Sequence, residues 1–184
     1  MQFLAIVFMC IISAMVYGIV HDQVTARVCV EYFSIGHPQL FQTDNPTLLG
    51  IGWGIAGTWW VGLIFGLSLA IIARAGSRPA FTATDLIRGI LVLLAVMAMF
   101  ALLAGILGWT LPESGTVFLV APLAEKVPAD KQTLFIADLW AHGASYLAGL
   151  VGGVVIMVRT WRSRCRAASI TRIPNAPDYF RPKQ

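Results

Sequence analysis

Apolar residues fall in four long runs separated by polar connections. Residues 1–20 carry no Asp, Glu, Lys or Arg, and neither do 45–73, 89–112 and 139–158. A helix rising 1.5 Å per residue needs roughly 20 apolar residues to cross the hydrocarbon core of a bilayer, and each run is long enough. Strand-like alternation of apolar and polar positions is absent. In lipid the backbone must satisfy its own hydrogen bonds, so runs of this kind predict helices. The pattern therefore predicts an all-α, four-helix transmembrane bundle with spans at about 3–20, 48–73, 89–111 and 134–158. Residues 1–160 form one membrane domain, and 161–184 form a basic, disordered tail.

The connections are patterned too. Val20, Val24 and Val28 share one helical face, while Gln23, Arg27 and Glu31 share another at i, i+4 spacing. Residues 21–34 are thus expected to extend the first span as a helix, stopped by Gly36 and Pro38. The stretch Val117–Leu123 is apolar but too short to cross, and is expected to rest on the bundle or the lipid interface.

Composition strengthens the membrane reading: 58% of the 184 residues are hydrophobic and only 12% charged. Soluble domains average about 25% charged residues. Ten of the thirteen basic residues lie between spans two and three (Arg74, Arg78, Arg88) or after span four (Arg159, Arg162, Arg164, Arg166, Arg172, Arg181, Lys183). The other side holds Arg27, Lys126 and Lys131 against Asp22, Glu31, Asp44, Glu113, Glu125, Asp130 and Asp138. Positive-inside bias puts both termini in the cytoplasm, and it accounts for the basic isoelectric point without nucleic-acid binding. Phe3 to Val20 lacks a basic n-region and a small-x-small cleavage site, so it is read as a span rather than a leader. Cys10, Cys29 and Cys165 fall in three different compartments on this topology, which argues against a disulfide.

Gly52-Trp53-Gly54-Ile55-Ala56-Gly57 matches GxGxxG, but no strand precedes it and it lies inside a span. These are packing glycines, not a dinucleotide fingerprint. Gly50, Gly54, Thr58, Gly62 and Gly66 recur every four residues and make a groove suited to close helix crossing. The groove predicts a role as a structural or accessory subunit, packing on a membrane partner or on another copy of the chain through Gly50, Gly54, Gly62 and Gly66. Trp53, Trp59 and Trp60 read as packing or interface anchors.

The residues that bear chemistry are His21, Asp22, Glu31, His37, Asp138 and His142. On this topology His21 and His142 lie at nearly equal depth at the outer rim, and Asp138 sits one turn beyond His142 on the same face. Imidazole and carboxylate are ligands for zinc, iron or manganese. A divalent-metal site is therefore expected from His21, Asp138 and His142, with Asp22 or Glu31 completing it or acting as a base. The same residues fit a hydrogen-bonded network that holds the helices in register, with Arg27 pairing Glu31 and the Asp138 carboxylate coupled to His142. A b-type haem would need His21 and His142 as its axial pair. Cation transport is a further reading, drawn from the acidic rim, although no broken helix is evident deeper in the spans. None of these residues names a reaction, so no catalytic residue is assigned.

The segments HDQVTARVCVEYFSIGHP, GWGIAGTWW and DLWAHGASY resemble a small family of bacterial four-span integral membrane proteins. The resemblance implies a bacterial inner-membrane setting and carries no activity.

Overall fold

The computed structural model describes residues 1–171. Its helices, in chain order, are α1 (Gln2–Val28), α2 (Val30–Ser34), α3 (Pro46–Ala56), α4 (Trp59–Arg74), α5 (Ala83–Glu113), α6 (Leu123–Lys126) and α7 (Gln132–Thr171). No strand occurs among the described residues. Four helical segments, Gln2–Val28, Pro46–Arg74, Ala83–Pro112 and Ala129–Ser169, are long and apolar enough to cross a membrane. Their outward faces carry bare apolar side chains such as Leu4, Phe8, Ile12, Ile64, Leu102 and Leu150, as expected of a multi-pass membrane protein.

Local chemistry sets the helix boundaries. Asn45 caps α3, its side chain accepting from the backbone N–H of Thr47 and of Leu48 at 2.9 and 3.2 Å, with Pro46 at the first helical position. Thr82 and Asp85 close a reciprocal capping box at the start of α5. The expected extension of span one is present, but Cys29 is extended (φ −147°, ψ 101°) and separates α1 from α2.

The bundle is built of two helix pairs. The chain of α1 packs along α3 and α4, α5 packs along α7, and the pairs meet over much less surface. Glycines let the first pair close up. A Cβ on Gly54 would stand 2.5 Å from the Ile19 backbone, and one on Gly62 would stand 2.7 Å from Ile11 Cα. Gly50 and Gly66 face α1 at Asp22 and Val7 in the same way. The groove offered by the sequence to a partner is thus occupied by α1 of the same chain. A second copy or a partner subunit would need another face.

Two further differences from the sequence reading have plain physical causes. Span two is interrupted at Gly57–Thr58, contrary to the expectation of unbroken helices. There the Thr58 hydroxyl donates to the Gly54 carbonyl, and Gly18 of α1 packs against Thr58. Trp59 and Trp60 follow this break directly and are half-exposed. Finally, α7 continues to Thr171, so residues 161–171 of the tail expected to be disordered are helical. The wholly buried Arg164 holds that extension against the α4–α5 connection. The rest of the tail, 172–184, lies outside the described residues.

At the opposite, acidic end, Val117 and Leu119 turn into a cluster with Tyr32, Phe33, Val127 and Phe135, while Phe118 and Val120 point outward. The short apolar stretch thus rests on the bundle, as its length implied.

Candidate metal centre at the seam of the two helix pairs

Asp22 and His21 come from the last turns of α1, and His142 from α7, so the cluster lies where the two pairs meet. Ligand atoms of His21, Asp22 and His142 all lie within 4.8 Å of one another. The His21 and His142 rings contact edge to face, with centroids 4.4 Å apart, in agreement with the equal depth expected from the span lengths.

Hydrogen bonding fixes the protonation of one ring nitrogen. His142 Nδ1 is 2.8 Å from the Asp138 backbone carbonyl, which can only accept, so Nδ1 carries a proton. His142 Nε2 then faces Asp22 Oδ1 at 3.2 Å. A bare imidazole lone pair repels a carboxylate oxygen. This contact is attractive only with a positive centre between the two atoms, either a proton or a metal ion. Beside it, His21 Nε2 is buried with no hydrogen-bond partner.

The other expected ligands are placed differently. Asp138 is 2% exposed and its Oδ2 is also buried without a partner, yet its carboxylate does not join the converging group. It interacts electrostatically with Asp22. The expected coupling of His142 to the Asp138 carboxylate is therefore replaced by a bond to the Asp138 carbonyl, and Asp22 supplies the carboxylate. Helix geometry explains this: at i−4 the backbone carbonyl lies beneath the ring, whereas the side chain projects away from it. Glu31 accepts from the Cys29 thiol at 3.4 Å and lies off the cluster. Arg27 does not pair with Glu31; it donates to the Gln23 side chain and to the Thr47 hydroxyl at 2.7 and 2.8 Å, tying α1 to α3. His37 donates to, or accepts a proton shared with, no carboxylate: its Nδ1 bonds the Tyr32 carbonyl at 2.9 Å, and its ring packs between Phe33 and Trp53.

Several members of the site escaped the sequence reading. Tyr32 stacks on His142 at 4.4 Å, Tyr17 stacks on His21 at 5.8 Å, and the Tyr17 hydroxyl shares a 2.7 Å hydrogen bond with Ser145. Tyr17, Tyr32 and Tyr146 all lie within electrostatic reach of Asp22. A signal existed for two of them. Tyr17 precedes His21 by four residues and Tyr146 follows His142 by four, so each adds a hydroxyl one turn deeper beside its histidine.

The ring placement does not favour the haem reading. Axial ligands stand on opposite faces of a planar macrocycle, whereas the two imidazoles here touch each other.

Cys29, 1% exposed at the edge of this cluster, has its thiol pushed up to about 12, chiefly by burial, with Glu31 and Asp138 adding to the effect. A thiol with so high a pKa stays protonated at any ordinary pH and is a poor nucleophile. Maleimide at pH 8 is therefore expected to modify the half-buried Cys165 in folded protein and to leave Cys29 and the buried Cys10 untouched until denaturant is added. Peptide mass mapping reads the outcome. Labelling of Cys29 at the rate of Cys165 would contradict the packing.

No protein family, curated protein or solved structure matches this chain.

Proposed function

We propose that the chain is a multi-pass protein of the bacterial inner membrane that binds one divalent transition metal through His21, Asp22 and His142. Positive-inside bias supports a topology with both termini in the cytoplasm and this cluster at the outer rim. One observation carries the metal reading: a buried, unpartnered His21 nitrogen stands beside a His142–Asp22 contact that itself calls for a positive centre. Two imidazoles and a carboxylate are a familiar three-ligand set for zinc, with a fourth position left to water or another ligand. Tetrahedral ligands about 2.0–2.2 Å from zinc lie roughly 3.3 Å apart. Separations of up to 4.8 Å would therefore close by up to about 1.5 Å around the ion, through side-chain rotation. Asp138, buried and within electrostatic reach of Asp22, would be the reserve carboxylate of such a site.

Zinc titration of detergent-purified protein is expected to give one site per chain. His142→Ala and His21→Ala should each weaken it by at least tenfold. Failure of the wild type to bind either zinc or cobalt at one ion per chain would end this reading. A cation-transport role gains the break at Gly57–Thr58, since interrupted helices line many transport sites. No ionisable residue accompanies that break, which keeps metal binding the better reading. The accessory-subunit reading loses its groove to α1 and retains only the outer apolar faces.

A further inference from the structure

The side of the cluster that faces the α2 connection is closed. Tyr32 lies against the face of His142, Phe33 meets the same ring edge to face with centroids 5.9 Å apart, and Tyr32, Phe33 and Cys29 are buried. Asp22, Asp138 and His142 are buried as well. The members that keep exposed surface are His21, Tyr17 and Tyr146, the last of them 59% exposed. Each is flanked by outward apolar side chains: Val16, Val20 and Val24 on α1, and Leu139, Leu147 and Leu150 on α7. These two helices belong to different pairs and touch only sparsely. The accessible edge of the cluster thus runs along the seam between α1 and α7, bordered by outward-facing apolar side chains.

Depth and chemistry define what such an edge accepts. His21 lies nineteen residues along α1 from Gln2, roughly 28 Å at 1.5 Å per residue. That is close to the far edge of a hydrocarbon core about 30 Å thick, the level of lipid headgroups. A divalent ion held by two neutral imidazoles and the single Asp22 carboxylate leaves net positive charge. Tyr17, Ser145 and Tyr146 set hydroxyl donors around that position, with the Tyr17 and Tyr146 hydroxyls within electrostatic reach of each other. A cation ringed by hydroxyl donors suits an oxyanion.

We propose that the metal site opens sideways into the bilayer between α1 and α7 and takes a membrane lipid with a phosphate headgroup as its ligand. This rests on the metal-binding reading above. The phosphate oxygen fills the fourth metal position, Tyr146 donates to a second oxygen, and the acyl chains lie along Val20, Leu147 and Leu150.

Native mass spectrometry of the full chain in neutral detergent tests it, with phosphatidic acid as the probe, phosphatidylcholine as the headgroup control and inorganic phosphate as the water-soluble competitor. With zinc bound, one phosphatidic acid is expected to be retained in preference to phosphatidylcholine. Removing zinc should abolish that preference, and Tyr146→Phe should weaken it about tenfold, the worth of one charge-assisted hydrogen bond. Inorganic phosphate should compete poorly. Lipid held by the arginines at the other end would respond neither to zinc nor to Tyr146. Equal retention with and without zinc, no preference over phosphatidylcholine, or displacement by inorganic phosphate as effective as by phosphatidic acid overturns the proposal while leaving the metal site standing. Failure of lipid-free protein to take up zinc overturns both.

Discussion

Replacing Arg164 by methionine is expected to lower the thermal midpoint of the purified protein by roughly 10 °C, corresponding to a loss on the order of 3 kcal/mol. Arg164 is fully buried, and its guanidinium donates to four backbone carbonyls: Ile72, Ala75, Arg78 and Pro79. Ile72 belongs to the last turn of α4 and Ala75 is its C-cap, so these carbonyls have no partner within the helix. A cation at that end also complements the helix dipole. Arg78 stacks over Trp161 at 4.1 Å, and Arg74 donates to the Phe81 carbonyl at 2.8 Å, so the connection is held at several points. Methionine preserves much of the volume but leaves the carbonyls unsatisfied. Lysine, with a compact ammonium in place of a planar fork, should recover less than half of the loss. A shift below about 2 °C for Arg164→Met would show that water replaces the guanidinium without cost.

Arg164 also shows what the sequence discloses and what it conceals. In a membrane chain, arginines after the last span read as a topology signal, and that signal hides any individual packing role. The face that buries Arg164 was nonetheless written in the chain: Ser145, Gly149, Gly153, Thr160 and Arg164 continue one stripe of α7 past the expected end of the span. The spans themselves were legible because lipid demands long apolar helical runs, and little else produces them. The depth match of His21 and His142 was legible because helical rise is fixed. Neighbours across helices were not. The choice between the Asp138 and Asp22 carboxylates depends on how α1 and α7 rotate about their axes, and one turn of sequence spacing cannot show that. The groove of Gly50 to Gly66 announced a close helix contact correctly, while the identity of the contacting helix, α1, became visible only in the fold.

Asp22→Asn is expected to separate two properties that a simple ion pair would keep together. With Nδ1 of His142 committed to the Asp138 carbonyl, Nε2 presents a lone pair to Asp22 whenever no cation or second proton lies between them. Asparagine can turn its amide N–H toward that lone pair and make a neutral hydrogen bond. It also removes a buried charge that lies within reach of Asp138. The metal-free variant should therefore unfold at the same temperature as wild type or about 2–4 °C higher, a gain on the order of 1 kcal/mol. Zinc affinity should fall by about a hundredfold or more, because the amide oxygen is neutral and a weaker ligand. A structural network built on a charged His142–Asp22 bridge requires the opposite sign. Removing one partner of a buried ion pair typically costs about 3–5 kcal/mol, and such a protein would lose roughly 10 °C with no metal in the experiment. Thermal unfolding of chelator-treated wild type and variant at pH 8, followed by zinc titration of both, distinguishes the two cases. A clear fall in midpoint, together with unchanged zinc uptake, would assign His21, Asp22 and His142 to holding the two helix pairs together and remove them from metal chemistry.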